Sequence, residues 1–361
     1  MGKKKSLIIV SLIVFVLSCV PAFADCPSAD LTGDCFVNFE DFALIKPRLL
    51  NNCDLNDVNT LANQLPESGV PTDPCIMVWV DINDSGVTKL WLLRFVALGR
   101  DLGSDEHKHK GFNGQMSKYE TTNAQYCVFL NDSLASGDIY VSSSIVHDAY
   151  GTHPGYIVYG ANGTNPGEDF VNEVYFETYS SNKGSQIDYN NVSGTFSVRT
   201  RDSYDMSNHP VVAVSWYGAT AFCNYYGYRL PTEWEWQAVA DFDGTYIYGC
   251  GKTISQGKAN VWQGKFVNPL GLSDYPYTTP VDYYETNGPG PYGYGMCDMA
   301  GNVFEWTDSW QSGLHIFRVV KSTSFFYSGY ERGCVWNRGG TMPGEAYLYD
   351  DISFRVVLDS N

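Results

Sequence analysis

The stretch Asp298-Met-Ala-Gly-Asn-Val-Phe-Glu-Trp306 is the part of the sequence that says most about the fold. Two acids, Asp298 and Glu305, lie on either side of Gly301. Glycine adopts backbone conformations that other residues avoid, so Gly301 allows the chain to turn carbonyl oxygens inward. Buried carboxylates would need a cation; alternatively, they accept hydrogen bonds from backbone N–H groups of local turns. Either way, an irregular turn is predicted here.

Sequence signals for three helices precede this stretch. Thr122 is placed to cap a helix that continues to about Asn131, and Gly227 is placed to end a helix that begins at Trp216. Thr232 and Glu235 form a capping box for a third helix. Elsewhere Gly, Tyr, Asn and Pro dominate, and no period of 20–50 residues recurs, which argues against solenoids and propellers. Few helices and long irregular segments are predicted.

Five motifs occur in order along the chain. They are Met116–Tyr126, Asn208–Ala219, Tyr228–Trp236, Asp298–Trp306 and Ser353–Val357. Together they resemble the sulfatase-modifying-factor family, which includes the formylglycine-generating enzymes. The resemblance implies an α/β (α+β) domain over residues 75–359, with an irregular C-type-lectin-like fold that is low in regular secondary structure.

The family's best-known activity oxidises a sulfatase cysteine to formylglycine with oxygen and copper, and it uses two cysteines five positions apart after a Gly-Gly-Ser element. Here that element reads Lys321-Ser-Thr-Ser324, and Tyr327 and Arg332 occupy the two cysteine positions. Only Cys334 follows Cys297, so no alignment gap supplies a second thiol. Because two thiolates are needed to bind Cu(I), copper is not expected, and no residue is assigned a catalytic role.

The retained family motifs without the thiols favour a domain that recognises an unknown protein or carbohydrate ligand. Two alternatives remain open. The domain is a formylglycine-generating oxidase that uses another set of residues, or a ligand-binding protein with a variable surface over Lys321–Gly344.

The resemblance also implies calcium, a hard cation that prefers oxygen ligands. One family site corresponds to the side chains of Asn260 and Asp274 and the carbonyls of Val261 and Pro276. A second corresponds to the side chains of Asp298 and Glu305 and the carbonyls of Gly301 and Val303.

Charge and hydropathy exclude two kinds of partner. The 361 residues carry a formal charge of −17. A polyanionic nucleic acid would be repelled, since no stripe of Lys and Arg offsets this charge. The apolar run Leu7–Leu17 is too short to span a bilayer and lies in residues 1–24, which read as a signal peptide with Lys3–Lys5 ahead of it. We therefore expect a secreted protein, extracellular or periplasmic, that does not span the membrane.

Export implies an oxidising environment, in which disulfides are common. The chain has ten cysteines, of which Cys19 lies in the signal peptide, so an odd number remains. Proximity along the chain suggests the pairs Cys26 with Cys35 and Cys53 with Cys75, although connectivity does not follow from sequence.

The segment 25–65 has the spacing of a calcium loop. Oxygen-bearing side chains occupy loop positions 1, 3, 5, 9 and 12, which are Asp30, Thr32, Asp34, Asn38 and Asp41. The pattern resembles a dockerin repeat and would make this a small helical segment with a cohesin-like partner; the alternative is an acidic helix cap without an ion. Residues 66–74 read as a linker, because Pro, Gly, Ser and Asp dominate them.

Overall fold

The structure is a computed structural model that describes residues 77–84, 112–148, 151–161, 170–179, 184–264, 268–311, 313–346 and 350–359. The proposed signal peptide, dockerin-like segment, calcium loop, linker and disulfides all lie outside these residues. Every described residue belongs to one unit of the chain, Val70–Asn361.

Strands make up most of the regular structure. They are β1 (Trp79–Asn83), β2 (Asn113–Ser117), β3 (Ile139–Asp148), β4 (Gly151–Gly160), β5 (Val174–Thr178), β6 (Ile187–Asn190), β7 (Thr195–Val198), β8 (Thr200–Arg201), β9 (Tyr204–Asp205), β10 (Phe304–Trp310), β11 (Arg318–Lys321), β12 (Gly339–Thr341), β13 (Ile352–Ser353) and β14 (Val357–Asp359).

The helices among the described residues are α1 (Asn123–Ser136), α2 (Trp216–Tyr226), α3 (Glu233–Asp241), α4 (Tyr283–Asn287) and α5 (Gly329–Arg332). None of the helices in this part of the chain has the length and apolar character of a membrane-spanning segment. The expectation of an irregular α/β (α+β) fold with few helices is confirmed, and the structure shows in addition that the fold is rich in strands.

The strands form small separate sheets rather than one large sheet. One sheet has three strands in the order β1-β2-β14, a second has four in the order β12-β11-β10-β13, and a third has three in the order β3-β4-β5. The strand pairs β6-β7 and β8-β9 form two further small sheets. In the four-stranded sheet β13 runs parallel to β10, whereas β11 is antiparallel to both β10 and β12. Strand β10 of this sheet contains Phe304 to Trp306, the end of the Asp298–Trp306 motif.

Local capping explains where the three longer helices begin. Thr122 and Thr232 each accept a hydrogen bond from the third helical residue, whose side chain bonds back to the cap, so both ends are capping boxes. Ser215 caps α2 by accepting from the N–H of Gly218. Gly227 ends α2 in the left-handed region with φ of 74°, as predicted.

Aromatic rings fill the main core between α1, α2 and the C-terminal segment. The ring of Phe222 on α2 lies 5.9 Å from Tyr126, 5.6 Å from Phe129 and 5.3 Å from Phe354, measured between centroids. All four side chains are buried. Rings at these separations add about 0.5–1.5 kcal/mol per pair to the burial of their apolar area. The core thus holds both helices against the C-terminal segment that precedes β14.

Candidate functional site

A cavity of about 480 Å³ opens beside the four-stranded sheet. We call it the sheet pocket. Its lining comes from strands β10 to β13 and from the segment that contains α5. The lining residues are Phe304, Val320, Tyr327, Arg332, Asn337, Arg338, Gly339, Gly340, Thr341, Asp351 and Ile352. Its volume lies in the range of pockets that hold small molecules.

Both positions at which the family motif has cysteines line the sheet pocket. The guanidinium of Arg332 lies over the ring of Tyr327, 4.5 Å from its centroid. The ring of Phe304 packs against Tyr327 at 5.3 Å in an edge-to-face arrangement. The site therefore holds a cation and two aromatic rings where the family motif has a pair of thiols.

Arg338 in the same pocket is neutralised by a carboxylate. Its Nε and Nη2 donate to Glu233 at 2.5 and 2.7 Å, and Glu233 is buried at the start of α3. Bidentate pairs of this kind are strong and directional. Arg338 therefore shapes the wall of the pocket, and its charge is already matched.

Asp351 contributes a buried carboxyl group that was not predicted from the sequence. It accepts a hydrogen bond of 2.6 Å from Ser324 Oγ. Burial raises the pKa of Asp351 to about 6, although the Ser324 hydrogen bond acts in the opposite direction. The only signal in the sequence is an acidic pair, Asp350 and Asp351, just before the Ser353–Val357 motif.

The segment Lys321–Ser324 is buried and does not line the pocket. Lys321 Nζ donates to the carbonyl of Val335 at 2.8 Å, and burial lowers the pKa of Lys321 to about 7. Ser322 has a φ of 68°, and its Oγ accepts from the N–H of Gly301 at 3.2 Å. This segment thus packs directly against the turn at Gly301.

The four buried cysteines of the described residues are free thiols. They are Cys127, Cys223, Cys250 and Cys297. Burial raises the pKa of each, to about 12 for Cys127 and Cys250. None of these four lines the sheet pocket. They are protonated near neutral pH and are poor metal ligands in that state.

At the second site that the resemblance implies, the two carboxylates have different surroundings. Both oxygens of Glu305 accept hydrogen bonds from Arg355, at 2.6 and 2.7 Å, and Trp236 Nε1 adds a third at 2.7 Å. Asp298 is buried, and its Oδ2 has no hydrogen-bond partner. Burial raises the pKa of Asp298 to about 8, Arg355 lowers it, and the charge of Glu305 raises it further.

The turn between these two acids is irregular, as predicted. Asp298, Gly301 and Asn302 all have left-handed φ values, of 53°, 92° and 61°. A Cβ at Gly301 would lie 2.8 Å from the carbonyl oxygen of Asn260. The turn therefore brings the two calcium motifs into contact with each other.

At the first implied site the residues fit a cation in part. Asn260 Oδ1 is buried without a partner, and its Nδ2 donates to the carbonyl of Tyr277 at 2.8 Å. The Val261 carbonyl accepts from Gln256, at 3.3 Å. The Pro276 carbonyl accepts from Arg201, at 3.2 Å. Asp274 accepts from the N–H of Tyr275 at 2.9 Å.

These surroundings bear on calcium in two ways. The unpartnered oxygens of Asn260 and Asp298 are the acceptors that a hard cation satisfies. Glu305, by contrast, is already held by a cationic side chain. No group of three or more His, Cys, Asp and Glu side chains suited to a metal occurs in the described part of the chain.

The family of this chain is shown by a match to a family model over most of its length. The family model "Sulfatase-modifying factor enzyme 1-like domain" matches residues 103–360, and the chain belongs to this family. It is 36% identical over 148 residues to a formylglycine-generating enzyme of Mus musculus, covering 40% of this chain and 38% of the mouse protein.

Other relatives give a similar picture. The chain is 41% identical over 113 residues to a formylglycine-generating enzyme of Thermomonospora curvata, covering 30% of this chain and 36% of that protein. It is 36% identical over 156 residues to the inactive C-alpha-formylglycine-generating enzyme 2 of Bos taurus, covering 41% of this chain and 50% of the bovine protein. The chain thus spans half or less of the length of each of these relatives.

Among solved structures, the crystal structure of CarF aligns with a TM-score of 0.46 and 19% identity, covering 80% of this chain and all of that one.

Proposed function

We propose that this chain is a non-catalytic member of the family that binds a ligand in the sheet pocket. One observation carries the proposal: Tyr327 and Arg332 line the pocket at the two positions where the family motif has cysteines. No cysteine is among the described residues that line it.

The chemistry of these side chains supports the proposal. Cu(I) is a soft ion that binds thiolates, whereas a guanidinium is cationic and has no lone pair to offer. A single thiol such as Cys334 does not complete a two-thiolate site. The pocket is therefore suited to contact a ligand by charge, hydrogen bonds and ring packing.

Similarity to relatives alone does not choose between oxidase and binding protein. The mouse and Thermomonospora relatives are formylglycine-generating enzymes, while the bovine relative is named inactive. The residues of the pocket favour the second type for this chain.

We propose further that calcium stabilises the domain at the two sites that the resemblance implies, through Asn260 Oδ1 at the first and Asp298 Oδ2 at the second, both of which are buried oxygens without a hydrogen-bond partner. Calcium would supply charge for Asp298 and coordination for the nearby carbonyl groups. Residues 1–24 support export, and Asp30–Asp41 supports a further calcium loop with a cohesin-like partner.

The test of the main proposal is oxidation of a cysteine peptide. The purified full chain is incubated with copper, oxygen and a peptide that carries the sulfatase cysteine motif, and the product is read by mass spectrometry. We expect no formylglycine and no tight binding of Cu(I). The double variant Tyr327→Cys with Arg332→Cys should gain Cu(I) binding, whereas each single variant should not. Formylglycine made by the unmodified chain would overturn the proposal.

A further inference from the structure

The charges of the sheet pocket leave one side chain available to a ligand. Three charged residues line it: Arg332, Arg338 and Asp351. Arg338 is paired with Glu233, and Asp351 is buried and bonded to Ser324. Arg332 is exposed and forms no salt bridge with an acid among the described residues, although its charge acts on Asp351 from a distance and lowers the pKa of that carboxyl group. Its guanidinium is therefore the cationic group that a ligand entering the pocket would meet.

The ring of Tyr327 restricts the orientation of Arg332 and leaves its N–H groups free of that contact. A cation–π contact uses the face of an aromatic ring and none of the five guanidinium N–H groups. The contact with Tyr327 at 4.5 Å therefore holds Arg332 in place while its N–H groups remain able to bind an oxyanion. A planar guanidinium matches carboxylate and sulfate oxygens in a two-pronged arrangement.

Apart from the polar side chains of Asn337 and Thr341, the rest of the lining is mainly apolar or lacks side chains. Phe304, Tyr327, Val320 and Ile352 contribute apolar surface, and Gly339 with Gly340 in β12 leaves part of the wall without side chains. A pocket of about 480 Å³ with such a lining accepts a ring or a short apolar body beside the charged group.

The charge of the ligand is limited by its surroundings. Asp351 lines the same cavity, and the whole chain carries −17. A dianion such as a phosphate monoester would be repelled more strongly than a monoanion.

We infer that the sheet pocket binds a small organic monoanion, with its carboxylate or sulfate group on Arg332 and its ring against Phe304 and Tyr327. This inference rests on the proposed function, because a pocket used for oxidation of a cysteine would hold a peptide thiol instead. It adds the chemical class of the ligand.

Binding of four related probes to the full chain tests the inference. Benzoate and phenyl sulfate are monoanions, phenyl phosphate is a dianion, and benzyl alcohol is neutral; titration calorimetry or ligand-observed NMR measures each. We expect benzoate or phenyl sulfate to bind saturably and at least about tenfold more tightly than benzyl alcohol, since a charge-assisted contact is lost in the neutral probe. Preference for benzoate would point to a carboxylate ligand, and preference for phenyl sulfate to a sulfate ester.

Two variants at one position and one control variant locate the site. Arg332→Gln should weaken the preferred probe at least about tenfold, and Arg332→Lys should fall between Gln and Arg because it keeps the charge and loses the planar fork. Lys252→Gln makes the same charge change at an exposed position outside the pocket and should leave binding unchanged. Circular dichroism confirms that each variant is folded.

The inference is overturned by any of four results. These are no binding of either monoanion, equal binding of benzyl alcohol, tighter binding of phenyl phosphate than of both monoanions, or unchanged binding to Arg332→Gln. None of these results produces formylglycine, so the failure of this inference is distinguishable from failure of the proposed function.

Discussion

Arg355 and Glu305 form a completely buried ion pair, with Nε and Nη2 of the arginine donating to the two carboxylate oxygens at 2.6 and 2.7 Å. Arg355 also donates to the carbonyls of Ser117, Lys118 and Cys297 at 3.0 to 3.1 Å. One side chain therefore joins β10 to two other segments, one at Ser117 and Lys118 and one at Cys297. Arg355 thus binds both oxygens of Glu305, the carboxylate that the family resemblance implies as a calcium ligand.

Breaking this pair should strongly destabilise the domain. Glu305→Gln removes the carboxylate that is hydrogen-bonded to the buried Arg355 guanidinium and leaves only the less closely placed acids Glu120 and Asp298, so we expect a loss of about 3–5 kcal/mol in the free energy of unfolding. Urea denaturation measures it. Asp359→Asn breaks the exposed pair with Arg229 and serves as the control, with an expected loss below about 1 kcal/mol. Equal losses in the two variants would contradict a special role for the buried pair.

Asp351 should make the domain less stable as pH rises. Its pKa is raised from 3.8 to about 6 in the folded state, so the folded chain keeps a proton that the unfolded chain loses between these values. This stabilising contribution is present below pH 3.8 and is lost as pH rises to about 6.

Asp351→Asn removes this titration and can still accept from Ser324. We expect the variant to gain about 1–3 kcal/mol over the unmodified chain at pH 7 and little at pH 4. Comparing the two proteins cancels the contributions of other buried acids such as Glu120, whose pKa is also raised by burial. Asp243→Asn, at an exposed acid whose pKa is lowered, should show no such gain. A difference that stays constant between pH 4 and 7 would refute the assignment.

Calcium should raise the thermal midpoint if Asn260 Oδ1 is a ligand. A ligand that binds only the folded state at one hundred times its Kd adds about 2.7 kcal/mol. Differential scanning fluorimetry with calcium, magnesium or a chelator measures the increase. Asn260→Ala should lose most of the calcium-dependent increase, and Asp243→Asn should keep it. The same midpoint with calcium and with chelator would contradict the calcium proposal.

Gly301 should tolerate no side chain, for two separable reasons. Gly301→Ala places a β-carbon in a left-handed backbone, at a cost of about 1–2 kcal/mol, and against the Asn260 carbonyl at 2.8 Å. Gly194→Ala has a similar φ of 70° but open space around it, so it carries only the first cost. The difference in unfolding free energy between the two variants measures the close approach, for which we expect about a further 1–3 kcal/mol. Equal losses of unfolding free energy in the two variants would contradict the prediction, because they would show that the backbone at Gly301 shifts to make room for the β-carbon.

Local signals predicted the three longer helices, α1 to α3, but not the short helices α4 and α5, and contacts distant in sequence were not predictable. Thr122, Thr232 and Gly227 act on residues within one turn, so their caps could be inferred from spacing alone. The pairing of Glu305 with Arg355 joins residues fifty positions apart, and no periodicity in the sequence encodes it. The motif resemblance located Tyr327 and Arg332, but their contact across the ring depends on the geometry of α5.

For the two acids around Gly301, too, the local requirement was predictable from sequence and the distant partner was not. Their need for partners followed from charge and burial, and the structure supplies Arg355 for Glu305 and leaves one oxygen of Asp298 without a hydrogen bond. Sequence reasoning missed Asp351 because its burial depends on how the segment before β13 folds over Ser324. Calcium binding at these oxygens stays a prediction, which the thermal midpoint with calcium and with chelator tests.

The position of β14 has a consequence for synthesis. β2 lies between β1 and β14, and Val357 pairs with Met116 across 241 positions of chain. While the ribosome is still translating the last of these residues, β2 lacks one neighbour and Glu305 lacks its arginine. The domain therefore cannot complete its fold progressively from the amino end. Nascent chains that end before residue 355 should remain sensitive to protease until β14 emerges and closes the sheet.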